Sequence, residues 1–265
     1  MANQTSHNTI VVKIGGSTLG ENDTTLEDVV TLQKEGYTIV LVHGGGKTVS
    51  QWLDVHRIPT RFIQGLRVTD KSSLEVVTAV LAGLVNKELV SNLRAMGAQA
   101  VGISGVDGGL IEAGVKDREL GYVGEITNID LKPLRVLIQE GYIPVVAPLG
   151  GQSLNGLPGA EGMLNINADT VAGRLAEALH ASRLIFLTDV PGVRDSSGRP
   201  LARLSPSIAR RLVRSGTISS GMIPKVEACI LALSTVPIAQ ILDGRETHAL
   251  LEGISDKAKG TRIEG

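Results

Sequence analysis

The chain's 265 residues can bury a sizeable core, as one large α/β domain or as two closely joined lobes. A formal net charge of −1 and an aromatic content of 2% supply neither the basic footprint nor the stacking rings of a nucleic-acid partner. A single cysteine, Cys229, excludes an internal disulfide and a zinc cluster and points to a reducing, cytoplasmic setting, and no apolar run nears the ~20 residues of a bilayer span.

Residues 1–9 lack the basic start and apolar core of a signal peptide. Residues 10–17 read as a strand ending in Gly15 and Gly16. Lys13 inside that β-branched run is costly to bury unless its ammonium reaches a partner or an anion; an edge-strand lysine would snorkel to water instead. The adjoining Gly-Gly-Ser favours a phosphate-facing lysine. Residues 24–35 carry a helical apolar face from Leu26, Val29, Val30 and Leu32, with Gly36 as the cap.

The unbroken apolar run 39–42 suits a strand buried on both faces, and it meets Gly44, Gly45 and Gly46 just before a helix over 48–55. Three glycines let backbone N–H groups approach an anion, and the helix start favours one there. Gly46-Lys47-Thr48 imitates the end of a P-loop, but Leu41 stands where that motif needs its first glycine.

Residues 64–70 form a polar loop or a hairpin presenting Arg67, whose fork suits a carboxylate, or else a surface ion pair. Residues 72–96 read as one long helix kinked near Gly83, with Leu74, Val77, Val80, Leu81, Leu84, Val85, Leu89 and Leu93 on its apolar side. Further strands are expected at 98–103, 120–126, 143–148, 183–187 and 238–242, and helices at 133–140, 170–179, 205–213, 226–233 and 247–251. This alternation predicts a doubly wound, mainly parallel sheet between helices. The turn-prone stretch 152–162 is the candidate lobe boundary. Asn167 or Asp169 is the expected N-cap of the 170–179 helix. Residues 217–225 read as a loop delivering Lys225, and 260–263 as a tail.

Two lysines, glycine-rich turns, one carboxylate and one arginine suit phosphoryl transfer, which asks mainly for positioning and neutralisation of spread negative charge. Asp169 could hold both lysines. No His-Asp or Ser-His nucleophile system is evident. A carboxylate acceptor needs no general base, because its pKa of about 4 leaves it ionised at neutral pH.

Segments 12–16, 42–46, 65–69, 165–169, 188–192 and 221–225 (VKIGG, VHGGG, GLRVT, NINAD, TDVPG and GMIPK) resemble, in order, the amino-acid kinase family. The likeness is to the branch that phosphorylates the γ-carboxylate of N-acetyl-L-glutamate in arginine biosynthesis. It implies a three-layer αβα sandwich, with an amino-acid lobe over about residues 1–160 and an ATP lobe over about 161–265. It further implies that Lys13 and Lys225 stabilise the transferring phosphoryl group, that Asp169 orients them, and that Arg67 and Asn165 hold the α-carboxylate. Gly44, Gly45 and Gly46 would line the γ-carboxylate and phosphate path. Gly15, Gly16, Asp189, Val190, Gly192, Ser219 and Gly221 would lie along the nucleotide. Mg²⁺ would arrive on the ATP phosphates, with no protein cage for it. A kinase for a carrier-linked aminoadipate and a non-catalytic sensor of nucleotide and amino acid are the alternatives. Arginine-inhibited members carry an extra N-terminal helix. Residues 1–9 offer no amphipathic face for one, so the expectation is a homodimer, paired through the 72–96 helix, that arginine does not inhibit.

Overall fold

The computed structural model describes residues 8–15, 24–152, 162–219, 221–255, 257 and 259–265. Gly16, residues 1–7 and most of the 152–162 stretch lie outside them.

The chain runs through strand β1 (Thr9–Ile14), helix α1 (Thr25–Lys34), β2 (Thr38–His43) and α2 (Gly46–Val55) to a small hairpin, β3 (Phe62–Ile63) and β4 (Leu66–Arg67). Helix α3 (Lys71–Thr78), a π-helical segment (Ala79–Val85) and α4 (Asn86–Ala95) follow without a break, leading to β5 (Ala100–Ser104). Then come β6 (Ile111–Val115), β7 (Gly124–Ile129), α5 (Lys132–Gln139), β8 (Ile143–Ala147), β9 (Leu149–Gln152) and β10 (Met163–Asn165). The last part holds α6 (Ala168–Leu179), β11 (Arg183–Thr188), β12 (Arg203–Leu204), α7 (Pro206–Arg214), α8 (Met222–Ala232), β13 (Ile238–Asp243), α9 (Ala249–Ile254) and β14 (Gly260–Glu264).

Eight strands form one sheet in the order β12-β14-β13-β11-β1-β2-β8-β5, parallel at every pair except β13 with β14. The period-2 alternation of a strand divides its side chains between two cores. Val11, Val40, Val42, Leu184 and Phe186 pack with α6 and α8 on one face. Ile10, Val12, Ile14, Ile39, Leu41, Ile185 and Leu187 pack with α1, α3, α4 and α9 on the other. The expected three-layer sandwich is the observed one. Lys13 falls on the Val11 face and His43 on the Ile39 face, a parity that decides what each can touch.

Several local expectations need correction. The 260–263 segment is strand β14 rather than a tail: Thr261 and Ile263 point inward while their neighbours stay partly exposed, a period of two. The strand expected at 120–126 starts at Gly124, because residues 118–120 form a 3₁₀ turn and Gly121 takes φ +70°. Strands β6, β9 and β10, which with β7 form a second sheet in the order β10-β9-β6-β7, were not foreseen. Two glycines in β9 mask its propensity, and Gly150 is needed there because a Cβ would come within 2.6 Å of Ile166 Cδ1. The kink near Gly83 is a π segment, whose wider turns rotate the apolar face, so Leu84 is exposed while Val85 and Asn86 are buried.

Lys225 sits inside the first turn of α8, not in the loop before it. Pro224 does not bar an earlier start, since a first-turn residue has no helical N–H bond to lose. Helices α6 and α8 meet at Gly173, where a Cβ would lie 2.9 Å from Ala228 O. Gly173→Leu is expected to cost about 1–3 kcal/mol by overpacking and to draw Lys225 away from Asp169. A thermal melt with steady-state kinetics checks this, and wild-type values for both would show that the contact gives way freely.

Candidate active site

Strand β1 lies between β2 and β11, with the sheet growing outward from it in both directions. Carboxyl ends at such a switch point form a crevice. Gly15 N–H donates to Leu187 O and Gly44 N–H to Ile14 O, both at 3.0 Å, tying the three strand ends together.

Asn167 caps α6, its side chain accepting from the N–H groups of Asp169 (2.9 Å) and Thr170 (3.1 Å). That leaves Asp169 in the first turn, where the helix dipole favours a carboxylate. Strand parity aims Lys13 at the same point. Lys13 Nζ lies 2.9 Å from Asp169 Oδ1, an ion pair whose angles fall outside hydrogen-bond geometry. Lys225 Nζ donates to Asp169 Oδ2 at 3.0 Å and to Gly221 O at 3.3 Å. All three side chains are at most 15% exposed. Burial pushes the Asp169 carboxyl upward, but the charges of the two lysines and the hydrogen bond from Lys225 outweigh it and hold the group below the usual carboxylate range. A cationic helix start, unfavourable alone, is thus neutralised within the fold.

Lys13, Asp169, glycines 44–46, Arg67 and Asn165 line one cavity of about 240 Å³; Lys225 is not part of its wall. Arg67 stands on the β3–β4 hairpin. Its Nη2 donates to Gly46 O (2.9 Å) and Ser50 Oγ (2.8 Å), and its guanidinium lies 4.8 Å from the centre of the Phe62 ring. Burial lowers its pKa, yet an arginine of this kind stays charged. Asn165 Nδ2 donates to Thr69 Oγ1 (3.1 Å), which donates to Arg67 O (2.9 Å), so one buried hydroxyl links both expected carboxylate ligands. Arg67→Lys keeps the charge but loses the fork. The KM for the amino-acid substrate is expected to rise about tenfold or more with that for ATP little changed; a rise confined to ATP would remove Arg67 from this role.

The expected nucleotide residues lie apart from this cavity. Gly15 directly follows β1, and Asp189, Val190 and Gly192 follow β11. Gly192 takes φ +111° with a virtual Cβ 2.6 Å from Thr261 Oγ1, so only glycine fits against β14. Ser219 and Gly221 stand at the start of α8. Gly15, Asp189, Val190 and Gly192 thus follow the carboxyl ends of the neighbouring strands β1 and β11, and Ser219 and Gly221 stand at a helix start. Among the described residues no three His, Cys, Asp or Glu side chains are grouped to hold a metal ion, and both Asp169 oxygens face lysines.

Ser50, Thr69, His43 and Asn86 were missed by sequence reasoning. His43 and Thr69 stand inside the 42–46 and 65–69 segments but were given no role, and Ser50 and Asn86 lie outside every quoted segment, with partners distant in sequence.

The sequence profile of the amino acid kinase family matches residues 8–239. The chain belongs to the amino acid kinase family. It is 43% identical over 262 residues to the acetylglutamate kinase of Dehalococcoides mccartyi (strain CBDB1), covering 99% of this chain and 96% of the relative. The crystal structure of smu.665 from Streptococcus mutans superposes with a TM-score of 0.83 at 31% identity, over 97% of this chain and 99% of that one. Carbamate kinase from Giardia lamblia shares the fold at a TM-score of 0.69 and 16% identity, over 98% of this chain and 99% of that one.

Proposed function

We infer that this family member is an acetylglutamate kinase, transferring the γ-phosphoryl group of ATP to the γ-carboxylate of N-acetyl-L-glutamate in arginine biosynthesis. The observation that carries the reading is the Lys13–Asp169–Lys225 constellation beside a cavity that also holds Arg67 and Asn165.

In this reading Arg67 and Asn165 take the α-carboxylate and leave the γ-carboxylate at the glycine turn. A carboxylate oxygen attacks the γ-phosphorus, the bond to the β,γ-bridging oxygen breaks, and N-acetyl-L-glutamyl 5-phosphate and ADP result. Lys13 and Lys225 neutralise charge on the oxygens of the group in transit, and Asp169 keeps both ammoniums in place. Mg²⁺ on the nucleotide supplies further neutralisation of the β- and γ-phosphates. The residues from about 1–160, joined by Asn165, take the amino acid, and those from about 161–265, with Gly15 and Gly16, the nucleotide. No helix of the described residues is long and apolar enough to cross a membrane, and a cytoplasmic location is part of the proposal. A homodimer is part of the proposal, and light scattering tests it.

ATP, N-acetylglutamate and hydroxylamine should give an acyl hydroxamate together with ADP. Turnover with an aminoadipate acceptor in preference would reassign the substrate, and binding without turnover would leave a sensor.

A further inference from the structure

Behind the glycine turn lies a buried polar chain that the roles above do not use. His43 is 1% exposed and Asn86 wholly buried. Asn86 Nδ2 donates to Val145 O (2.9 Å), faces His43 Nε2 (3.1 Å) and has Ile103 O at a longer 3.5 Å, while Asn86 Oδ1 accepts from Lys87 Nζ (3.0 Å). A carbonyl can only accept and an ammonium can only donate, so the orientation of the amide is settled without ambiguity. Nε2 of His43 must then carry the lone pair, and the ring proton sits on Nδ1. From there it donates to Gly44 O at 2.8 Å. Burial, against the pull of the Gly44 carbonyl and aided by the charges of Lys13 and Lys87, lowers the His43 pKa to about 4, so the ring is neutral near pH 7.

A planar trans peptide sets C=O and N–H on opposite sides. With Gly44 O turned back onto His43, the Gly45 N–H is turned the other way, away from the ring, and Gly45 itself lines the cavity. The π segment packs against the turn at Gly45. A Cβ on Gly45, which has φ +154°, would lie 2.6 Å from Leu81 Cδ2 and 3.4 Å from Val85 Cγ2. The same segment delivers Asn86, one residue past its end, to His43. Gly102 makes room for this, since a Cβ there would lie 1.9 Å from Asn86 Oδ1.

We propose that Asn86 and His43 are positioning residues for phosphoryl transfer: the Asn86 amide fixes the His43 tautomer, and His43 aims the Gly45 N–H at the reacting group. This rests on the kinase reading above. A donor held in place before the reaction stabilises developing charge without reorganisation.

Asn86→Asp is the decisive variant, because a carboxylate cannot donate to Nε2 and accepts from it instead: a neutral ring must then carry its proton on Nε2 and leave Nδ1 without a hydrogen for Gly44 O, whereas an imidazolium keeps a proton on both nitrogens. The expected result is a kcat lower by about tenfold or more, with both KM values within about threefold, the split of a transition-state interaction. Ring-nitrogen NMR of histidine-labelled protein, with His43 assigned by its loss in His43→Gln, should show the proton on Nδ1 in the wild type and on Nε2 in Asn86→Asp. The wild-type spectrum needs no variant to fold: a proton on Nε2 there overturns the proposal outright. A folded Asn86→Asp enzyme that has lost the Nδ1 proton yet keeps its kcat also overturns it, and so does one whose ring becomes an imidazolium, keeping the Nδ1 proton, yet loses kcat by about tenfold. A wild type that turns over no acceptor carboxylate overturns the kinase reading and this role together.

Discussion

Lys13→Ala and Lys225→Ala should each lower kcat by about 10²–10³-fold, the effect of removing a charge-stabilising group from a preorganised site. Both ammoniums converge on one buried carboxylate, at 2.9 and 3.0 Å, and neither has a strand- or helix-building reason to be where it is. The two substitutions are not expected to be silent in stability. Each leaves Asp169 with one cation instead of two, and breaking a buried pair costs up to about 3–5 kcal/mol. Lys13 is the more buried of the two, at 8% against 15% exposure, so its replacement should lower the melting point further. Steady-state kinetics on folded protein, with melts alongside, read both effects. A kcat within tenfold of wild type for either variant would deprive that lysine of its assigned role.

Asp169→Asn is the second large effect, and it carries a pH signature. In the native state the carboxyl is held below its unfolded value of about 3.9. The unfolded chain therefore takes up a proton first as pH falls. The stabilisation is fully present above about pH 4 and is lost as pH drops through the depressed native value. The variant would lack this contribution and would leave two ammoniums facing each other across a neutral amide. Urea midpoints measured from pH 7 to pH 3 should show wild type well above the variant near neutrality. The gap should narrow at the acid end. A gap that stays constant with pH would mean that the charge of Asp169 does not stabilise the fold, whatever its effect on kcat. At pH 7 the variant should also lose kcat to at least the extent of the single lysine variants, because both ammoniums lose their anchor.

Much of this site was legible early because charged side chains stood where the pattern demanded apolar ones. Lys13 interrupts a β-branched run, and Asp169 follows Asn167 at a helix start. Lys225 also stood out, but its helix was expected four residues late because Pro224 reads as a stop until its first-turn position is known. The edge-strand alternative for Lys13 fell only when β1 proved central, between β2 and β11. His43 and Asn86 gave no such signal. His43 ends an apolar strand without disturbing its alternation, and Asn86 lies off the expected apolar stripe of its helix. Only the π turn brings it to the buried side.

The sequence alone determined what depends on neighbours within a few residues. The alternation in β1 and β2 sends Lys13 to one face and His43 to the other, and Asn167 caps α6 through its own adjacent N–H groups. Tertiary structure decided what depends on separation in the chain. Asp169 and Lys225 are 56 positions apart and meet because α6 and α8 approach closely at Gly173. The reach of Asn86 to His43, across 43 positions, depends on the extra turn width of the π segment. Periodicities of 2 and 3.6 residues say which face a side chain occupies, but the partner on the facing element is set by how closely the two backbones pack.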